Sequence, residues 1–212
     1  MKYGKKPAGM WLLFEKSFTG ALMSVFGLEP VRAEDVRRRA KETYRTIITQ
    51  LPEFEKGDRF AVNIISCAML ISFLKNLDEK PAVYTVEQYY NRAMMIPAMK
   101  VFCRAMGKLK FGKSDVSQMR QTEKLRAADR NPYSWNMEYL PYADGSGYEA
   151  RFSKCGICVL MKELGLFEFV PAMCRLDYTM TDAGGSSVFI REHTLASGGP
   201  YCDCGYKKIS GK

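Results

Sequence analysis

Five of the seven cysteines fall late in the chain, at Cys155, Cys158, Cys174, Cys202 and Cys204. Their pattern is Cys-x2-Cys, then a lone cysteine, then Cys-x-Cys. His193, the only histidine, lies between the last two groups. Three chemistries fit these residue types. Thiolates could hold a metal, most plausibly zinc, with all five cysteines as candidate ligands and with or without His193. One thiol, Cys155 or Cys202, could act as a nucleophile assisted by His193 or an aspartate. Alternatively the cysteines only pack, since free cysteine behaves as a small hydrophobe. The acids and the base nearby add to the chemistry. Asp177 follows Cys174 by three residues, and Asp203 directly follows Cys202. Either could serve as a base or orienting acid, and Asp203 equally as a capping carboxylate. Arg191 could hold a substrate carboxylate through a bidentate pair, or pair with a surface acid.

These residues need elements to position them. Residues 154–164 read as a helix stopped by Gly165, which puts Cys155 and Cys158 on one face. Residues 187–195 and 201–207 read as strands joined by Ser197-Gly198-Gly199-Pro200, an antiparallel hairpin. In that hairpin Cys202 and Cys204 share a face, Asp203 points to the other, and Arg191 and His193 share a face of the first strand. Two more strands are expected at residues 135–139 and 148–153, around the turn-rich Ala143-Asp144-Gly145-Ser146-Gly147.

The chain ahead of residue 130 reads as helical. Val36, Ala40, Tyr44, Ile47, Ile48 and Leu51 form one stripe at helical spacing. Residues 58–77 give a second helix, apolar on several sides, with Cys67 as a core residue. Thr85-Val86-Glu87-Gln88 has the form of a capping box opening a third helix, which Pro97 kinks or splits. A fourth, short helix runs from residue 114 to 128. Helices on a small antiparallel sheet give an α+β fold. The chain reads as a single domain, with a mainly helical subdomain at 1–130 and an α+β subdomain at 131–212 carrying the candidate site.

Composition narrows the class. At 47% hydrophobic over 212 residues the chain can bury a full core. No apolar run reaches the roughly 20 residues of a membrane span. Lys2, Lys5 and Lys6 before an apolar stretch imitate a secretory leader, but Glu15 and Lys16 break the run, so a helix is expected there instead. An odd number of cysteines without a leader points to free thiols in the cytoplasm. The net charge of +9 suits a small anionic substrate. No zinc-finger or RNA-binding signature accompanies it, so nucleic acid is not an expected partner. Arg37-Arg38-Arg39 reads as a solvated helix face. Spacing leaves oligomeric state open.

Residues 152–206 resemble the C-terminal part of the L-2-amino-thiazoline-4-carboxylic acid hydrolase family. The resemblance rests on Lys154-Cys155 opening a helix that ends Glu163-Leu164-Gly165, on Cys174-Arg175-Leu176-Asp177, and on Phe189-Ile190-Arg191 leading through His193-Thr194-Leu195-Ala196 to Gly198-Gly199 and Cys202-Asp203. A looser similarity joins it to 4-vinyl-reductase-type small-molecule-binding domains, which also end in a cysteine-bearing hairpin. Cys204 stands where the hydrolase pattern has an aromatic residue, and Cys158 is additional to it. The resemblance implies hydrolysis of a cyclic C=N substrate such as a 2-aminothiazoline-4-carboxylate, giving a carbamoyl derivative of cysteine. It implies Cys155 or Cys202 as the thiol, Asp177 as base, Asp203 and His193 in reserve, and Arg191 as the carboxylate clamp, with Thr194 and Gly199 beside it at the substrate. The alternatives are a sensor module that binds a small molecule or metal without catalysis, and a different enzyme on the same fold.

Overall fold

The computed structural model describes residues 1–209. The last three residues of the expected 131–212 subdomain lie outside the described residues. The order of elements is α1 (Lys5–Phe26), α2 (Pro30–Gln50), α3 (Ala61–Leu74), α4 (Val83–Met94), α5 (Pro97–Leu109), α6 (Lys113–Ala127), β1 (Glu138–Pro141), β2 (Gly147–Phe152), α7 (Gly156–Glu163), α8 (Val170–Gly184), β3 (Ser187–Ile190) and β4 (Cys202–Lys208). The architecture is α+β, as the sequence implies. No helix among the described residues is long and apolar enough to cross a membrane.

Helix α3 is the hub. Apart from Val62 and Asn63 every one of its residues is buried, Cys67 among them. A helix apolar on all sides must be wrapped by others, and α1, α2 and α7 pack around it. Trp11 stacks on Phe73 at 5.7 Å between ring centroids, and Phe18 meets Phe73 and Tyr89 at 5.1 and 5.6 Å. Helix α8 lies across α4 and α5. A Cβ at Gly107 would fall 2.3 Å from the Gly184 carbonyl oxygen, so glycine lets α5 and α8 touch backbone to backbone. That contact anchors the helix that carries Cys174 and Asp177.

The four strands form an antiparallel sheet in the order β1-β2-β4-β3. Ala150 pairs with Cys204, Phe152 with Cys202, and Tyr206 with both Tyr148 and Phe189. Strand alternation puts these residues on one face. There Tyr148, Ala150, Phe189 and Cys204 form a small core with Met119 of α6 and Met137, and Tyr178 of α8 packs against it. The Cys202–Cys204 face therefore looks toward the helices.

Several boundaries differ from the expected ones. Helix α4 begins at Val83, ahead of Thr85, and its N-cap is Ala82 without a side-chain cap bond. The Val86 amide already bonds to the Ala82 carbonyl, so Thr85 sits inside the first turn and no capping box forms there. Pro97 does split the third helix, into α4 and α5. Strand β1 starts three residues late. Asn136 accepts the Ser153 and Lys154 amides through its side chain at 3.0 and 2.8 Å, and Trp135 and Met137 turn into the core. Helix α8 fills a stretch that the sequence reading left without an element. Its signal was present: Phe169, Met173 and Leu176 are buried at helical spacing. Pro171 sits in the first turn, where a missing N–H costs nothing.

Strand β3 ends at Ile190, not near residue 195. Arg191 and His193 therefore lie beyond the strand and share no strand face. Asp203 is the cause. Its carboxylate accepts the Glu192 amide at 2.7 Å and the His193 amide at 2.6 Å. Those amides face a side chain, and the chain leaves the sheet into the loop holding the 3-10 turn Leu195–Ser197.

Candidate functional site

Cys155 caps the N-terminus of α7 in an extended conformation, φ −133° and ψ 115°. Three kinds of donor favour its thiolate. The Cys158 thiol has the largest effect, burial opposes it, and the amides of Cys158 and Ile157 and the Trp135 indole add to it. No full cap hydrogen bond closes, so the amides act through the field of the helix terminus. The result is a thiol drawn down from 9.0 to about 7. The Cys158 thiol is pushed far up, because its proton is held toward Cys155.

The next residue, Gly156, makes this terminus accessible to its neighbours. A Cβ there would fall 1.9 Å from the Tyr133 carbonyl oxygen. The 133–135 segment can therefore lie directly on the helix start and bring Trp135 to the sulfur. Gly156→Ala must push that segment away. The expected loss is about 1–3 kcal/mol of stability from overpacking, read by denaturant unfolding. Cys155 should also react more slowly with iodoacetamide near pH 7. An unchanged alkylation rate in the variant would contradict this role for the close approach.

Cys174 on α8 and Cys202 on β4 are within electrostatic range of Cys155 and Cys158. Burial pushes both thiols up, and the Leu195 amide donates to the Cys202 sulfur at 3.2 Å. Cys67 lies behind Cys155, fully buried in α3, its thiol pushed well up by burial. Of these cysteines, Cys155 alone is drawn toward ionisation.

A second group sits further along α8. Arg191 donates from Nη2 to Asp177 at 2.7 Å and to the Cys204 sulfur at 2.8 Å, and from Nη1 to the Cys174 carbonyl at 3.0 Å. Its side chain is only 6% exposed. Both ends of the fork are thus taken by the protein, and the buried Nε has no partner among the described residues. Burial opposes its charge, but Cys204 and Asp177 hold the guanidinium protonated. Asp177 keeps 43% of its side-chain surface exposed, yet burial is the main reason its carboxyl is pushed up, against the pull of Arg191. Both facts hold for a carboxyl lining a recess that solvent reaches and protein surrounds. Burial likewise lifts the Cys204 thiol to about 12.

Lys110, just past α5, belongs to the same recess and escaped the sequence reading. Its ammonium lies 3.2 Å from the centroid of the Tyr206 ring and 5.2 Å from that of Tyr148. Burial lowers it to about 8, against the attraction of Asp115, Cys204 and Asp177. Nothing local in the sequence marked Lys110 among so many basic residues. Trp135 likewise reads only as a strand residue in the sequence.

The remaining expected site residues serve the loop. Asp203 holds the two amides described above. The His193 ring packs edge-on against Tyr201 at 5.4 Å. Thr194 caps the Leu195–Ser197 turn, accepting the Ser197 amide at 3.1 Å. Gly199 donates its amide to the Thr194 carbonyl at 2.9 Å. The structure brings Cys155, Cys158, Cys174 and Cys202 together, with Cys204, Asp177 and Arg191 beside them, and leaves His193, Thr194 and Gly199 to the loop. For the zinc alternative, among the described residues no three Cys, His, Asp or Glu side chains are grouped to hold a metal ion. The five thiols come from one helix start, one helix and one strand, spread along a strip. A separate cleft of about 390 Å³ between α1 and α3, lined by Lys6, Met10, Leu13, Arg59 and Val62, contains no thiol and no catalytic grouping.

No curated protein matches this chain, and no solved structure does. The model of one family, L-2-amino-thiazoline-4-carboxylic acid hydrolase, matches residues 53–206. That span runs from the approach to α3 through β4 and includes every residue of the thiol strip and its recess. The chain belongs to the L-2-amino-thiazoline-4-carboxylic acid hydrolase family.

Proposed function

We propose that the protein hydrolyses a small anionic heterocycle with a C=N bond, such as 2-aminothiazoline-4-carboxylate, using Cys155 as nucleophile. The observation that carries this reading is the Cys155 sulfur at the start of α7, drawn to about 7 by Cys158 while burial opposes it. A thiol drawn down toward neutrality combines supply of thiolate with nucleophilicity.

The steps follow from the substrate's chemistry. The Cys155 thiolate adds to ring C2, and the ring nitrogen takes a proton. The C2–S bond of the ring breaks and releases the substrate's own thiolate. Water then adds to the carbon held on Cys155. Collapse expels the Cys155 thiolate and leaves a carbamoyl group on the former ring nitrogen. Cys158 is the nearest proton source to the attacking sulfur. The carboxylate of the substrate needs a cation, and the recess supplies two. Among the described residues Lys110 has no acid in ion-pair contact, its ammonium lying over the Tyr206 ring, and the Arg191 Nε has no hydrogen-bond partner. Asp177 orients Arg191. Asp203 is a positioning residue, since its oxygens hold the chain that carries Arg191.

The test is direct. Reduced protein incubated with 2-aminothiazoline-4-carboxylate should release a new thiol with time, with the carbamoyl product seen by mass spectrometry. No ring opening at high protein concentration would overturn the reading.

A pH profile separates the two charged groups. Cys155 has its value lowered, so the active thiolate accumulates as pH rises through about 7. Lys110 is also lowered, so the ammonium that receives the substrate is lost as pH rises through about 8. kcat/KM should therefore form a narrow bell between them. Lys110→Met should flatten the alkaline limb, raise KM and keep the acid limb. A profile with the same alkaline limb in the variant would remove Lys110 from the binding role.

A further inference from the structure

We infer that Cys155 and Cys158 form a dithiol pair that exchanges with small-molecule disulfides and closes to an internal Cys155–Cys158 disulfide. The two thiols occupy the N-cap and the third position of α7. Both are free and partly exposed. Each side chain is the strongest influence on the other's ionisation. A Cys-x-x-Cys pair at a helix start is the arrangement in which the first sulfur attacks and the second resolves. Cys174 and Cys202 are also nearby, but each is tied to a different element and acts on Cys155 only through its charge.

The exchange balances without any further reagent. The Cys155 thiolate attacks one sulfur of a disulfide RS–SR, forming Cys155–S–SR and releasing RS⁻, which takes a proton from solvent. Cys158 loses its proton to solvent or to the released thiolate and attacks the Cys155 sulfur. The S–SR bond breaks and the second RS⁻ leaves. The protein dithiol is oxidised by two electrons, and the small disulfide is reduced to two thiols. Excess thiol runs the steps backward. The helix start favours the first step. A mixed disulfide is short-lived where a resolving thiol already touches the attacked sulfur.

Oxidised glutathione is the probe. Lys154 and Lys162 bracket both cysteines, so trypsin releases residues 155–162 as one peptide. Reduced protein treated with oxidised glutathione, then alkylated and digested, should yield this peptide short of two hydrogens and resistant to alkylation. Cys158→Ser should instead accumulate glutathione on Cys155. Cys155→Ser should leave the peptide unoxidised under the same treatment. Recovery of the peptide fully alkylated from the unmutated protein would overturn the proposal. So would a disulfide linking Cys155 to Cys174 or Cys202. These readouts are masses, independent of turnover. A failure of the hydrolase reading therefore leaves them intact, and their failure leaves the hydrolase reading intact.

Discussion

Cys155→Ser should lower turnover of the thiazoline substrate by at least about 10³-fold while the protein stays folded. The size follows from the role: loss of a nucleophile that forms the covalent intermediate removes the principal path, and losses of that order or greater are usual. The serine hydroxyl has nearly the shape of the thiol and is a preferred N-cap, so α7 should be as stable or slightly more so. That separates the chemical effect from a folding effect. The hydroxyl does not ionise near neutrality, and no adjacent histidine can activate it, since His193 is held against Tyr201. Cys202→Ser should cost much less, because burial keeps the Cys202 thiol protonated and its sulfur accepts the Leu195 amide. The measurement is kcat/KM for both variants against the same substrate, with thermal unfolding as the control. Turnover within about tenfold of the unmutated protein in Cys155→Ser would end the case for thiol catalysis at this position.

The contrast between these two cysteines was not legible in the sequence. Spacing put Cys155 and Cys158 on one helix face and Cys202 and Cys204 on one strand face, and both placements are close to the structure. Spacing is a local property. Whether a thiol ionises depends on what reaches it from elsewhere, here Trp135 from the segment after α6 and the amides of the first turn of α7. The unassigned α8 hid a second relation. In the sequence Cys174 and Asp177 are only three residues apart in a stretch assigned to no element, whereas on α8 they are one helical turn apart and both meet Arg191. In the sequence Arg191 could equally clamp a substrate or pair with an acid. Its commitment to Asp177 and Cys204 follows from β3 ending early, and that in turn follows from Asp203 taking two amides. A single carboxylate thus relocates the cation, and no periodicity could announce it. The helical half was more legible, because a buried stripe is a property of one element alone.

The largest stability effect should come from Arg126→Met. Arg126 is 3% exposed, and its Nη1 meets Asp58 Oδ2 at 2.6 Å, Asp129, and the Ser134 hydroxyl at 2.8 Å. Glu55 lies 3.2 Å from Nη2. The side chains of Asp58 and Asp129 are 0% and 4% exposed. Methionine fills similar volume but takes the guanidinium away from two buried carboxylates, leaving Asp129 only the more distant field of Lys154. Breaking one partner out of such a group costs about 3–5 kcal/mol, a large part of the about 5–15 kcal/mol that holds a domain together. The pH dependence has a definite sign. Burial works against the Asp129 charge, but the Asn131 amide, Ser134 and Arg126 outweigh it and hold Asp129 below the usual range. A carboxylate depressed in the folded state stabilises the protein above its unfolded value and loses that contribution as pH falls through the folded one. The variant forfeits Arg126's share of this, so the gap between the two proteins should be widest near neutrality and narrow below about pH 4 as Asp129 protonates. Adding Asp58→Asn to Arg126→Met should recover part of the loss, and no recovery would mean that the cost is packing rather than charge. The same cluster fixes the segment that leads to Tyr133 and Trp135. A folded Arg126→Met protein should therefore also alkylate more slowly at Cys155 near pH 7, because the segment lying on Gly156 would no longer be held to the start of α7.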